Sequence, residues 1–325
     1  MIYYLTHYDQ KTFPFLIEYL KNEGNDVYWM HPPIKHGEYI NSLIGAWNAV
    51  RKVHKGDTII TYMSSAGVLV WWISWLLHKK IHVIATNLAL KNDNSLQTQL
   101  MALLYRGALK SKRFTLTVTS EKYGKRMQKK LHAQHPLPLL YDYGQYPGYA
   151  YDYKDNGKRI FCGGNTQRDW NSCIALAKKM PDWHFALIGI SKNSLISDFK
   201  IQEIPRNIKV IEKLPFKQFI QGIHESTMVY IPVRWNCPAG LIVMMESAWE
   251  GKLIITSSND ITDEYVTDDR GLACNDIEKI AQYIETMYAQ PEVCKKKVKA
   301  MQTYLLDKCS ANAYSKTIAD LISVK

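Results

Sequence analysis

The sequence predicts an α/β protein built from two Rossmann-like domains, and three observations predict it. Short runs rich in Ile, Val, Thr and Tyr alternate with amphipathic helical periods along most of the chain. The alternation breaks at residues 134–158, "QHPLPLLYDYGQYPGYAYDYKDNGK", where Pro, Gly, Tyr and Asp crowd together without any period. The chain has 325 residues, more than one domain usually needs.

The elements before the break follow one another in strand–helix order. "IYYLTHY" (2–8) reads as a strand, a helical pattern runs to Asn22, and "DVYWMHP" (26–32) is the next strand. In "EYINSLIGAWNAVRKV", Ile40, Leu43, Ile44, Trp47 and Val50 recur at helical spacing. "TIITYMS" (58–64), a Trp-rich helix over 66–79, "IHVIATN" (81–87), a helix over 95–110 and "FTLTVTS" (114–120) continue the series. After the break come "RIFCGG" (159–164), a helix over 170–179, "HFALIGI" (184–190) and "NIKVIEK" (207–213). A helix over 216–224, "MVYIPV" (228–233), a helix over 240–250, "KLIITSS" (252–258) and a helix over 276–289 complete it. The expected domains are 1–145 and 158–325 around a hinge at 146–157, with the last helix crossing back to the first domain. Two such domains facing across a cleft would make that cleft the expected ligand site.

Composition narrows the class. With 46% hydrophobic and 22% charged residues the chain can bury ordinary globular cores. The longest apolar run, "AGVLVWWISWLL" at 66–77, falls short of the about 20 residues a spanning helix needs. All six cysteines lie in the second half without a CxxC pair or a secretory leader, which points to reduced thiols and a cytoplasmic protein. The net charge of +11 is uneven: the first 150 residues hold 18 Lys/Arg against 9 Asp/Glu, the remainder 23 against 21. Residues 104–135 carry nine basic residues against Glu121 alone, a stripe suited to an anionic partner.

Two stretches of the second half carry site chemistry. In "RIFCGGNTQRDWNSCIALAKK" a strand ends in Gly163 and Gly164, and Asn165 or Asp169 can cap the following helix. Glycines after a strand let backbone approach a ligand, and a helix N-terminus offers free N–H groups to an anion. Arg168 stands one residue before the Asp169 cap, placed to pair with a phosphate. In "NCPAGLIVMMESAWEGKLIITS" a polar elbow, Asn236 to Gly240, leads into a helix whose Ile242, Glu246, Trp249 and Glu250 share a face. Helical glutamates of this kind are usually just solvated.

On these motifs the second half resembles the nucleotide-sugar-binding half of GT-B-fold glycosyltransferases, in particular the large bacterial group four (group one-like) enzymes of capsule and surface polysaccharide synthesis. The matching residues are "IPV", "PAGL", "MMESAWEGK" and "LIITS", with "FCGGNTQRDW" similar to the "GG…RD" opening of that domain. The match covers residues 158–290, with weaker architectural agreement over 1–133. The resemblance implies transfer of a sugar from a UDP- or GDP-linked donor without a metal or other cofactor. It places Gly163, Gly164, Asn165, Gly189 and Arg168 at the donor diphosphate. Asn236, Pro238, Ala239, Gly240 and Leu241 would lie against the sugar and its phosphates, and Glu246 at the ribose hydroxyls. Relatives often carry a first Glu eight positions before the second, and here that position is Pro238.

Negative charge builds on the leaving diphosphate during such a transfer, and Arg168 and helix N-termini would take it. An inverting enzyme also needs a base, for which His7, Asp9 and His31 are the candidates at strand ends. Trp71, Trp72 and Trp75 beside Lys79 and Lys80 mark either a buried helix or a membrane-facing edge. Lys112, Arg113, Lys125, Arg126, Lys129 and Lys130 would extend that edge toward anionic lipid. The expected partners are a nucleotide sugar, a lipid-linked or polysaccharide acceptor and the inner face of the plasma membrane. No nucleic-acid motif accompanies the charge. Two rival readings are a non-catalytic sugar-nucleotide or glycan-binding subunit and a nucleotide-sugar epimerase.

Overall fold

The computed structural model describes residues 1–6, 14–31, 38–91, 93–143, 147–234 and 236–323, and the chain divides into two compact units. The first unit comprises Met1–Asp142 and Ala311–Lys325, the second Tyr143–Ser310.

In the first unit the elements are β1 (Ile2–Leu5), α1 (Pro14–Asn22), β2 (Val27–Met30), α2 (Glu38–Lys52), β3 (Thr58–Thr61), α3 (Ser64–Leu76), β4 (His82–Ala85), α4 (Leu96–Ala108), β5 (Phe114–Leu116) and α5 (Glu121–Leu131). The strands form one parallel sheet in the order β2-β1-β3-β4-β5. The chain runs one way from β1 to β2 and the other way from β3 onward. Right-handed crossovers therefore put α1 on one face of the sheet and α2, α3 and α4 on the other.

The mean hydropathy of α3 is high because it is packed nearly all round. Gly67 permits its closest approach, since a Cβ there would lie 2.4 Å from that of Ala85. Gly107 of α4 makes room for the Trp72 ring in the same way, and the Trp72 indole N–H donates to the Leu104 carbonyl (3.1 Å).

The second unit contains β6 (Arg159–Gly163), α6 (Trp170–Lys179), β7 (His184–Ile188), α7 (Lys192–Ser197), β8 (Ile208–Ile211), α8 (Phe216–His224), β9 (Met228–Ile231), α9 (Leu241–Trp249), β10 (Leu253–Thr256), α10 (Thr262–Tyr265), β11 (Gly271–Ala273), α11 (Ile277–Tyr288) and α12 (Pro291–Lys308). Its six parallel strands run in the order β11-β10-β9-β6-β7-β8. The central strands β6, β7, β9 and β10 are almost wholly buried, as their unbroken apolar runs require. The last helix, α13 (Ala311–Ser323), belongs to the first unit and packs on α1.

The stretch read as a hinge at 146–157 is not a free linker; its described residues lie in the second unit. The Tyr151 N–H donates to the Trp249 carbonyl (2.8 Å), Tyr153 is buried, and Gln302 Nε2 donates to the carbonyls of Tyr151 (2.8 Å) and Ala248 (2.9 Å). Gly251 explains the fit. With φ +70, it lies so close to the Asp152 carbonyl that a Cβ would come within 2.4 Å.

Candidate functional site

Strands β6 and β9 are neighbours whose onward connections leave in opposite directions, β6 toward β7 and β9 toward β10. Such a switch point opens a crevice beyond the carboxyl ends of the two strands. The loops that follow them meet there. Arg168 and Val233 form an antiparallel bridge, the Asp169 N–H donates to the Pro232 carbonyl (3.1 Å), and the Arg234 N–H to that of Gln167 (2.8 Å).

The glycines of this crevice are demanded by close approach. Gly164 has φ +97 and Gly189 φ +107, and a Cβ on Gly189 would lie 3.1 Å from the Gly164 carbonyl carbon. A Cβ on Gly164 would lie 2.5 Å from Arg168 Nη2, and one on Gly240 3.1 Å from Arg168 Nη1. The guanidinium is therefore lodged between the turn after β6 and the elbow before α9.

Arg168 is only 3% exposed, yet its partners are carbonyls: Nε donates to Gly163 O (2.7 Å) and Nη1 to Thr166 O (3.1 Å). No carboxylate among the described residues pairs with it, and Nη2 keeps both its protons for another acceptor. Burial pulls its pKa down to about 10, so it is still a cation at neutral pH. A buried, uncompensated cation is costly to a fold, which makes an anionic ligand its natural complement.

The elbow adds backbone donors. Gly240, φ +84, stands at the N-terminal boundary of α9 and has no side chain with which to cap the first N–H groups of the helix. Asn236 Nδ2 donates to Asp260 Oδ2 (2.7 Å), Ala239 and Leu241 are buried, and Pro238 is half-buried. On the other loop Asp169 caps α6 by accepting from the Ser172 N–H (3.3 Å), while Asn165 is exposed.

One helical turn separates two glutamates of different fate. Glu250 is 3% exposed and fully engaged: Tyr149 Oη donates to Oε1 (2.7 Å), and His224 Nδ1 lies 2.8 Å from Oε2. Glu246 is half-buried and receives no hydrogen bond among the described residues; burial, then the charge of Glu250, push its pKa up to about 7. The sequence reading missed the Glu250 network because its partners come from residues 26 and 101 positions away.

Of the proposed bases, His7 and Asp9 lie outside the described residues. His31, at the end of β2, is exposed and lines a cavity of about 530 Å³ with Leu5, Trp29, Asn48 and Arg51.

The membrane-facing set needs correction. Trp71 is buried edge-on against Phe114, and Trp72 is half-buried in its bond to α4. Lys79 is spent on the carbonyls at the end of α2, donating to Val50 O and Val53 O (2.7 Å each). Arg126 lies 5.2 Å from the Tyr123 ring centre, and Lys130 bonds Lys91 O (3.1 Å). Trp75, Lys80, Lys112, Arg113, Lys125 and Lys129 are exposed. Beside Trp75 (57%), the exposed apolar side chains include Leu76 (64%) on α3 and Leu96 (83%), Leu100 and Leu103 on α4. Among the described residues no helix is long and apolar enough to cross a membrane.

No protein-family profile matches the chain, and no curated protein sequence does. Solved structures do. The chain is similar to HepE of Anabaena, solved in complex with UDP and glucose (TM-score 0.69, 13% identity, 100% of both chains covered). It is similar to sucrose-phosphate synthase of Thermosynechococcus elongatus (0.73, 13%, 99% of this chain and 98% of that one). A third is WaaG, a glycosyltransferase involved in lipopolysaccharide biosynthesis (0.68, 12%, 99% of each). At such identity the likeness establishes the fold: two parallel α/β sheets in the GT-B arrangement of chain.

Proposed function

We propose that the protein is a glycosyltransferase that moves a sugar from a nucleoside-diphosphate donor to a glycan or lipid-linked acceptor. The observation that carries this reading is Arg168, a buried guanidinium without a carboxylate partner among the described residues, set between two glycine turns at the β6/β9 switch point. Structural neighbours that bind UDP and UDP-glucose support it.

In this reading the diphosphate rests on Arg168 and the N-terminal amides of α9, which neutralise the charge that grows as the glycosidic C–O bond to phosphate breaks. Both are fixed before the donor arrives, so little reorganisation accompanies the reaction. Glu246 accepts from the ribose hydroxyls. Transfer without a metal ion is part of the proposal.

The test is a screen of UDP- and GDP-sugars for thermal stabilisation, followed by measurement of nucleoside diphosphate release with and without EDTA. The expected result is stabilisation by one nucleotide series and release that EDTA leaves unchanged. Stabilisation without release, with any glycan or lipid acceptor, would leave a sugar-nucleotide-binding subunit instead.

A further inference from the structure

Helix α9 meets Arg168 at its N-terminal boundary, Gly240, and at its other end Glu250 lines a cavity of about 380 Å³ in the second unit. Ten residues of helix, about 15 Å, lie between the two places. The cavity is walled by the outer side of α8 (Phe216, Lys217, Gln221 and His224) and by Tyr149 and Tyr151. The opposite side of α8 faces the sheet, where the Phe219 ring packs edge-on against Phe161 (5.0 Å).

Three aromatic side chains of this cavity are held outward: Tyr149 is 37% exposed, Tyr151 45% and Phe216 67%. Single exposed rings are ordinary, whereas three around one cavity form a patch. The two tyrosines are also fixed. Tyr149 Oη donates to Glu250 Oε1, and the Tyr151 ring lies 4.8 Å from that of Tyr149 and 4.9 Å from that of His224. Both backbone groups of Tyr151 are bonded, its N–H to Trp249 O and its carbonyl to Gln302 Nε2. Rings ordered in advance lose little freedom when a ligand arrives.

The polar groups around the rings are of both kinds. His224 Nδ1 lies 2.8 Å from Glu250 Oε2, and when it donates there, Nε2 of the neutral ring is an acceptor. Gln221 Nε2 donates to Glu225 Oε1 (2.8 Å), which orients the amide oxygen as another acceptor. The Lys217 ammonium and the Tyr151 hydroxyl supply donors, and neither has a partner among the described residues. Sugar hydroxyls need donors and acceptors together, and a pyranose with equatorial hydroxyls offers C–H faces to aromatic rings. An anion would find Lys217 but also the Glu250 carboxylate.

We infer that this cavity is a second carbohydrate site, which holds a neutral, gluco-configured pyranose of a glycan against Tyr151 and Phe216. The inference does not depend on the nucleotide reading of the Arg168 crevice.

The test is titration of cellobiose, maltose and chitobiose into wild type, Phe216→Ala and Tyr151→Ala, followed by saturation-transfer NMR and calorimetry, with and without excess UDP or GDP. Melting temperature and far-UV spectrum show which variants are folded. At least one disaccharide should bind wild type with a millimolar dissociation constant, and each substitution should weaken it about fivefold or more. Neither nucleotide should displace the sugar, and nucleotide affinity should be the same in all three proteins. Absence of disaccharide binding by wild type, or binding unchanged in either folded variant, would overturn the inference. Displacement of the sugar by UDP or GDP, with weaker nucleotide binding in Phe216→Ala, would also overturn it and assign the cavity to the nucleotide instead. If neither nucleotide binds while the disaccharide result holds, the nucleotide reading falls and the carbohydrate site stands.

Discussion

Arg168 and Glu246 show how residue identity and environment divide the work of the site. The sequence marks both, Arg168 by its place after two glycines and before a helix cap, Glu246 by its interruption of an apolar helix. It does not show that Arg168 is buried without a carboxylate partner among the described residues, since that follows from Gly164 and Gly240, 76 positions apart in sequence, closing on it. Nor does it show that Glu250 is engaged while Glu246 receives no hydrogen bond among the described residues.

Glu246 makes a pH prediction. Its pKa is raised to about 7, above the ordinary carboxylate value, so the folded protein holds its proton longer than the unfolded chain does. Its contribution to stability therefore declines as pH rises from about 4.5 to about 7, where the unfolded chain has already ionised. Its ability to accept two ribose hydroxyl bonds grows over the upper part of the same range. Nucleotide affinity measured between pH 6 and 8 should rise with pH in wild type. In Glu246→Gln it should be lower at pH 8 and flat; a parallel rise in the variant would remove Glu246 from the ribose.

At the scale of elements the strand–helix alternation was the legible part, because parallel strands buried on both faces read as continuous apolar runs. β11 was missed, being three residues long, and α5 was hidden by its charge: Lys122, Lys125, Lys129 and Lys130 mask the apolar side formed by Tyr123, Met127 and Leu131. Of the three tryptophans of α3 only Trp75 is exposed, because the consecutive Trp71 and Trp72 point to different sides of the helix and pack against Phe114 and α4. Helices α2, α3 and α4 lie on one face of the first sheet, and Leu96, Leu100 and Leu103 recur along the exposed side of α4. With Lys80, Lys112 and Arg113 on the same unit, these side chains suit an interface with anionic lipid. Wild type should cosediment with phosphatidylglycerol vesicles, weakly with phosphatidylcholine, and less as salt rises. Replacing Leu100 and Leu103 by Ser should reduce binding about tenfold or more without lowering the melting temperature. Salt-insensitive binding, or binding unaffected by the double substitution, would dismiss this face as the contact.

For the whole molecule, the two sheets were predictable and their exact membership was not. The Tyr-rich stretch looked like a hinge on composition, yet Tyr151, Tyr153 and the Gly251 turn fasten its later half to the second unit. The terminal helix α13 returns to pack on α1, a long-range contact that local periodicity cannot report. Sequence identity to the similar structures is 11–13%, so patterning survives where individual residues do not, and activity has to be argued from the site.

The central claim is that Arg168 holds a diphosphate, and it is tested most directly by calorimetric titration of UDP and GDP into wild type, Arg168→Lys and Arg168→Ala, each checked for an unchanged far-UV spectrum. The account predicts saturable binding of one nucleotide by wild type, with affinity about tenfold or more weaker in folded Arg168→Lys, because a point charge cannot reproduce the guanidinium fork. Arg168→Ala, if it folds, should bind more weakly still. Equal nucleotide affinity in wild type and a folded Arg168→Lys variant would contradict it.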